Sequence, residues 1–231
     1  MGHESTGHQL ERPDNLGIHY IAVEGVIGVG KTSMVHRLCE KLGARAVLEQ
    51  VEENPFLASF YKDSERFAFQ AQIFFLLSRY KQQKSIGQAD MFHELIISDY
   101  MFAKDRIFAN LNLDDQELIL YERLATLLEK TAEQPDMVLY LQARTDVLMQ
   151  RIKQRGRAFE KRINKDYIEA LNEAYNRFFF NYTASPVIIV DTNDVDFRHD
   201  DDSLEHLVEF MWKTERGTRV WIPGQSSMEE L

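Results

Sequence analysis

The chain of 231 residues has no second cysteine, no long apolar run and no excess of positive charge. Each absence removes a class of function. With Cys39 alone, neither an intrachain disulfide nor a Cys-rich metal site can form. Cys39 falls in a helix-patterned stretch, where packing is the ordinary role of a lone thiol. No apolar stretch approaches the ~20 residues that span a bilayer, and no secretory signal is visible. The formal net charge of −10 argues against nucleic acid or an anionic membrane as main partner. The cytoplasm is the expected compartment. Internal repeats and low-complexity segments are lacking as well. Met1-Gly2 with Thr6 formally fits a myristoylation pattern, but Glu4 and the flanking histidines favour a disordered polar leader over 1–17.

What is present is ordinary for a soluble enzyme: 44% hydrophobic and 28% charged residues, enough for one α/β domain with a sizeable core. Its most informative segment is Gly25-Val26-Ile27-Gly28-Val29-Gly30-Lys31-Thr32, followed by Ser33. The glycines permit backbone conformations closed to other residues, so successive N–H groups can curl around a polyphosphate at a helix N-terminus. In such a loop Lys31 reaches the outer phosphates and the Thr32 hydroxyl holds Mg²⁺. An apolar, β-rich run over 18–23 precedes it and helical spacing over 32–42 follows, which is the context the loop requires. The chain is expected to bind a nucleoside triphosphate.

Short apolar runs over 46–48, 95–97, 137–141 and 187–190 alternate with helical patterns over 65–88, 115–131, 146–154 and 166–182. This alternation predicts a parallel sheet covered by helices on both faces, with ligands at the carboxyl ends of its strands. Residues just past each strand are therefore the ones that carry chemistry. Glu49 follows the second strand and is the best-placed carboxylate to accept a hydroxyl proton during phosphoryl transfer. Glu52 and Glu53 compete with it, although their position suits capping of the next helix. Asp99 follows the third strand, where a carboxylate holds Mg²⁺ directly or through water; capping of the next helix is the plainer role for the same residue. The segment 144–162 gathers Arg144, Arg151, Lys153, Arg155, Arg157, Lys161 and Arg162 in an otherwise acidic chain. Arg151 and Arg155 share a helix face, and Gly156 breaks the helix before Arg157. This pattern is read as a mobile lid over the triphosphate rather than a solvated basic face. Gln72 lies among Phe67, Phe69, Phe74, Phe75 and Leu76. Its amide needs a partner that either the backbone or a nucleobase edge would satisfy.

These pieces resemble the deoxynucleoside kinases, the family of bacterial deoxyadenosine and deoxyguanosine kinases and animal deoxycytidine kinase. The resemblance runs from about Tyr20 to Phe197 and is carried by segments 24–32, 48–57, 60–69, 72–79, 151–157 and 190–197, in family order. It implies a P-loop nucleoside kinase fold: a five-stranded parallel sheet, helices on both faces, an Arg-rich lid and a homodimer built by helix packing. The domain would span 18–215, with a C-terminal tail over 216–231. By resemblance Glu49 is the base for the sugar 5′-hydroxyl, Gln72 reads the base edge, and Arg79 lies at the nucleoside pocket. Tyr61 and Glu160 match the pair that binds the 3′-hydroxyl. Arg151, Arg155 and Arg157 match lid arginines, and the loop from Asp191, with Asp194, Asp196 and Phe197, matches the one around the donor's adenine. ATP and Mg²⁺ are the implied donor and metal, and a deoxynucleoside, purine before pyrimidine, the implied acceptor.

Two positions depart from the family. Ser98-Asp99-Tyr100 stands where an acidic residue, Arg and Ser are usual, so a positioning arginine is missing and Lys104 or Arg106 is left to replace it. Phe159 stands where a second acidic residue is common. A monophosphate kinase of thymidylate kinase type would need positive charge near Glu49, where Glu52 and Glu53 lie instead. A P-loop regulator without transfer activity would not need Gln72, Tyr61 and Glu160.

Overall fold

The computed structural model describes residues 17–90, 95–224 and 229–230. The leader expected over 1–17 lies outside these residues except for Gly17. Strand β1 (Tyr20–Gly25) is buried along its whole length and is followed by α1 (Lys31–Leu42). Then come β2 (Arg45–Val47), the short helix α2 (Leu57–Phe60), and α3 (Ser64–Asp90), the longest helix at 27 residues. Strand β3 (Ile96–Ser98) precedes α4 (Asp105–Asn112) and α5 (Asp115–Glu129). The chain continues through β4 (Met137–Gln142), α6 (Thr145–Arg155), α7 (Lys165–Phe180), β5 (Val187–Asp191), α8 (Asp201–Trp212), β6 (Thr218–Trp221) and β7 (Glu229–Glu230).

The strands form one sheet in the order β2-β3-β1-β4-β5-β6-β7. The chain builds first on one side of β1 and then crosses to the other, so the carboxyl end of β1 lies where ligands collect in such sheets. Registers Ile21↔Ile97 and Ile21↔Met137 show β1 sandwiched between β3 and β4. Both faces are covered, which is why β1 and β4 read as unbroken apolar runs rather than alternating ones. On one face α7 buries Ile168, Leu171, Tyr175 and Phe179, with the Phe179 ring 4.3 Å from that of Tyr140. Cys39 is half-buried against this core, and burial pushes its thiol up to about 11, consistent with packing.

The sheet exceeds the five strands expected. Six strands are parallel, and β7 adds one antiparallel pair. The sixth, β6, comes from the tail segment beyond 215: Val187 pairs with Thr218 and Val190 with Trp221. Its four residues include Arg219, so neither length nor alternation marks it as a strand. Tertiary contacts decide it: Trp221 is buried with its ring 5.9 Å from Phe197, and Arg219 lies over the Phe210 ring. Three helices, α2, α4 and α8, lie outside the helical patterns of the sequence. The brief α4 runs only eight residues, and α8 starts where Asp200 caps it by accepting from the Ser203 N–H. Among the described residues no helix is long and apolar enough to cross a membrane.

Candidate active site

The loop from Gly25 to Lys31 joins β1 to α1 and can only close if two of its residues lack a side chain. Gly25 has φ +145°, and a Cβ there would sit 2.4 Å from the Leu141 carbonyl oxygen of β4. Gly28 has φ +89°, and a Cβ there would meet Ile152 Cγ1 at 2.7 Å and the Leu148 carbonyl at 2.9 Å. The loop is thus clamped between β4 and α6. Gly25 and Val26 lie beneath its rim and act through carbonyls: Lys31 Nζ donates to Gly25 O at 2.7 Å and Val26 O at 3.3 Å. Burial, then the nearby charge of Lys104, pulls the Lys31 ammonium down to about 8 against the pull of Glu24, Asp99 and Glu49. Ile27, Gly28, Val29, Gly30, Lys31, Thr32 and Ser33 face a cavity of about 660 Å³.

Asp99, at the end of β3, draws three elements together. Its Oδ2 accepts from the Thr32 hydroxyl at 2.7 Å and its Oδ1 from the Glu49 N–H at 2.7 Å. A hydroxyl and a carboxylate this close suit a hard cation that keeps most of its ligands as water and phosphate, so the pair fits Mg²⁺. No cluster of three or more His, Cys, Asp or Glu that could hold a metal occurs among the described residues, and this mode needs none.

The side chain of Glu49 is gripped from both sides. Oε1 accepts from Arg79 Nε at 2.8 Å and also from Arg79 Nη2; Oε2 accepts from Lys104 Nζ at 3.0 Å. Burial alone would raise this carboxyl, but Arg79 and then Lys104 outweigh it and hold it down at about 2. Glu49 is therefore an ionised acceptor at neutral pH. Between Lys104 and Arg106, the two cations left by the missing arginine, the fold selects Lys104. Arg106 pairs instead with Glu122 at 3.1 Å and Glu129 at 2.7 Å. Behind Lys104 lies Glu24, wholly buried at the root of the loop, its carboxyl pushed up by that burial.

Farther along the cavity the Gln72 amide nitrogen donates to the Asp105 backbone carbonyl at 3.0 Å and its carboxylate at 2.8 Å. Asp105 also pairs with Arg79 and accepts from the Tyr121 hydroxyl at 2.9 Å. The amide nitrogen of Gln72 is committed to Asp105, so its carbonyl oxygen is the polar atom left for a ligand. The backbone and side-chain partners in this arrangement were invisible in the sequence: Asp105 opens α4, where an acid reads as a helix cap.

At the third corner Tyr61 stacks on Phe159, ring centroids 6.4 Å apart, and both line the cavity with Glu160. An apolar ring at 159 thus gives Tyr61 a flat partner. Burial, then Tyr167 and Glu160, pushes the Tyr61 phenol up. Glu160 is buried and accepts from Arg155 Nε at 3.1 Å. Helix α6 ends at Gly156 in the left-handed region, and the next turn, Ala158–Arg162, carries Glu160 under Arg155. Arg157 lies 3.6 Å from Glu52 and 3.9 Å from Glu160. Arg151 differs from the other two. It donates to Val29 O at 3.2 Å, Thr192 Oγ1 at 3.1 Å and Val195 O at 3.4 Å, bracing the phosphate loop against the loop after β5. In that loop Asp196 faces the cavity and accepts from Arg198 Nε at 2.8 Å, while Phe197 is buried on Trp221. Asp194 is exposed and lies outside the cavity lining.

The arrangement unites a phosphate cradle, a metal-compatible pair, an ionised carboxylate and an enclosed polar pocket. The family model "Deoxynucleoside kinase" matches residues 21–214. The chain is 32% identical over 197 residues to a deoxyadenosine/deoxycytidine kinase of Bacillus subtilis, covering 82% of this chain and 89% of that one. It is 38% identical over 157 residues to a deoxyguanosine kinase of the same organism, covering 68% of this chain and 76% of that one. Among solved structures, deoxyadenosine kinase from M. mycoides with bound dATP superposes with a TM-score of 0.70 at 32% identity, over 84% of this chain and 99% of that one. The chain belongs to the deoxynucleoside kinase family.

Proposed function

We propose that this kinase transfers the γ-phosphoryl group of ATP, with Mg²⁺, to the 5′-hydroxyl of a purine deoxynucleoside. The observation that carries the reading is the ionised, doubly held Glu49 carboxylate beside the phosphate loop, in one cavity with Gln72, Tyr61 and Glu160. In phosphoryl transfer the protein supplies positioning, charge and a proton acceptor. Glu49 accepts the O5′ proton. Lys31 releases its loop carbonyls to meet the phosphates, and Arg155 and Arg157 exchange carboxylate partners for them. Thr32 and Asp99 would hold Mg²⁺, whose contribution there would be to neutralise phosphate charge. Tyr61 and Glu160 take the 3′-hydroxyl, and Arg151 with the loop of Asp196 and Phe197 borders the donor's adenine.

The Gln72 carbonyl accepts from a donor on the base edge, and Arg79 supplies the complementary positive charge. Every base offers a donor beside an acceptor on its Watson–Crick edge, so Gln72 by itself does not choose among them. Relatives named for deoxyadenosine and for deoxyguanosine support a purine, adenine first. The enzyme forms a homodimer through α3 and α5, whose Leu77, Ile119, Leu120 and Leu127 are all at least half exposed. Sedimentation of I119E/L127E should give a monomer where the unaltered chain gives a dimer.

The direct test is ADP release from ATP and Mg²⁺ with each deoxynucleoside, each ribonucleoside and dTMP. Release with purine deoxynucleosides is expected. Turnover with pyrimidines alone would overturn the base assignment, and turnover with dTMP alone would overturn the acceptor class.

A further inference from the structure

We infer that Lys104 is the positioning residue that orients Glu49 for proton acceptance, in place of the arginine missing after β3, with Glu24 as its counter-charge. The inference rests on the kinase reading of the same site. Lys104 is 2% exposed, and a buried ammonium is strongly disfavoured unless it is paired. It also sits at the N-terminus of α4, where the helix dipole repels a cation. Two penalties at one position require a compensating arrangement, and the surroundings provide one. Lys104 Nζ lies 3.0 Å from Glu49 Oε2, 4.0 Å from Glu24 Oε1 and 5.8 Å from the centre of the Tyr100 ring.

The geometry gives the lysine a specific task. Arg79, from α3, holds Oε1 of Glu49; Lys104, from the segment between β3 and α4, holds Oε2. Two cations from different elements fix the plane of the carboxylate, and with either removed it could rotate about the remaining contact. Glu24 is anchored independently: its Oε1 accepts from the Met101 N–H at 2.7 Å, and its Oε2 from the Gly25 N–H at 3.2 Å and the Tyr175 hydroxyl at 3.4 Å. Glu24 does not line the cavity, so it is no rival base. Because it stands directly before Gly25, the chain Glu24–Lys104–Glu49 links the root of the phosphate loop to the proton acceptor.

This arrangement also survives the reaction. As the bond from O5′ to Pγ forms, the O5′ proton passes to a Glu49 carboxylate oxygen. The bond from Pγ to the β,γ-bridging oxygen breaks, and its electron pair leaves with ADP. Glu49 is then neutral, and Lys104 keeps Glu24 Oε1, 4.0 Å away, as its other carboxyl neighbour.

The experiment compares K104M, K104R, K104M/E24Q and R106M with the unaltered chain, using ATP, Mg²⁺ and the deoxynucleoside it turns over fastest. K104M should lose ~10²–10³-fold in kcat with both KM values within ~3-fold, because Lys104 acts on Glu49 and not on either substrate. K104R should recover ~10-fold or more of that loss. K104M/E24Q removes cation and counter-charge together, so it reads the same kcat loss even where K104M fails to fold. R106M should keep its kcat, since Arg106 serves Glu122 and Glu129. An active K104M or K104M/E24Q within ~3-fold of the unaltered kcat would overturn the inference and leave the kinase reading standing. So would a loss carried wholly by KM, or a K104R no faster than K104M. An unaltered chain that releases no ADP with any deoxynucleoside would remove the kinase reading and the inference with it.

Discussion

The floor and the rim of the cavity treat charge in opposite ways. On the floor Glu24, Arg79, Lys104, Asp99 and Asp105 are buried and Glu49 is half-buried, and each has at least one charged or hydrogen-bonded partner held by another element. At the rim Arg155 and Arg157 keep about a third of their side-chain surface exposed and borrow carboxylates from Glu160 and Glu52. Buried charges are expensive to leave unpaired, so the floor is a rigid network in which removal of one member strands another. Exposed pairs contribute little and exchange easily. The lesson is a division of labour: the floor fixes the Glu49 carboxylate between two cations, as the proposed proton acceptor would need, and the rim has loosely held cations free to exchange partners.

The largest expected effect strikes the floor. E49Q should lose ~10²–10⁴-fold in kcat, as expected for a general base, while ATP binding measured by calorimetry stays unchanged. Near-normal turnover would break the contrast at its centre. The same residue gives a pH signature. The Glu49 carboxyl is held at about 2 against an ordinary 4.5, so its contribution to stability is complete above about 4.5 and lost as pH falls toward 2. Thermal unfolding should show E49Q less stable than the unaltered chain at pH 7, by on the order of 3 kcal/mol. That gap should close as pH drops from 4.5 toward 2, and a constant gap would contradict the paired state of Glu49.

Between floor and rim stands the loop. G28A places a methyl against Ile152 and the Leu148 carbonyl at a φ of +89°, so it should cost about 1–3 kcal/mol in chemical denaturation and weaken ATP binding. Unchanged stability would show that α6 yields there. At the rim, R155M should cost ~10-fold in kcat, the value of one partly exposed charge-assisted hydrogen bond, with nucleoside KM nearly unchanged. E52Q, which removes only an exposed partner of Arg157, should stay within ~2-fold in kcat. A larger loss for E52Q than for R155M would reverse the assignment of the rim.

Local pattern made much of this readable in advance. The glycine spacing of 25–30, Lys31 and Thr32 need only their neighbours in the chain to predict a strand–loop–helix turn, and Ile27 to Ser33 line the cavity with Thr32 on Asp99. Strands β1, β4 and β5 announce themselves as unbroken apolar runs because both faces are covered. Glu49 is legible as a carboxylate at the cavity because it follows a strand, although nothing local reveals Arg79 and Lys104 as the cations that keep it ionised.

The sequence by itself determined the phosphate loop, the parallel α/β sheet and the identity of the carboxylate beside the loop, because each depends on spacing within one short segment. The tertiary structure alone decided that Lys104 rather than Arg106 reaches Glu49, that Asp105 commits the Gln72 nitrogen, that Arg151 braces two loops, and that residues 218–221 extend the sheet. Those outcomes turn on which charges and edges meet across distant parts of the chain. A buried charge takes whichever partner the packing brings within reach, and packing is a property of the whole fold.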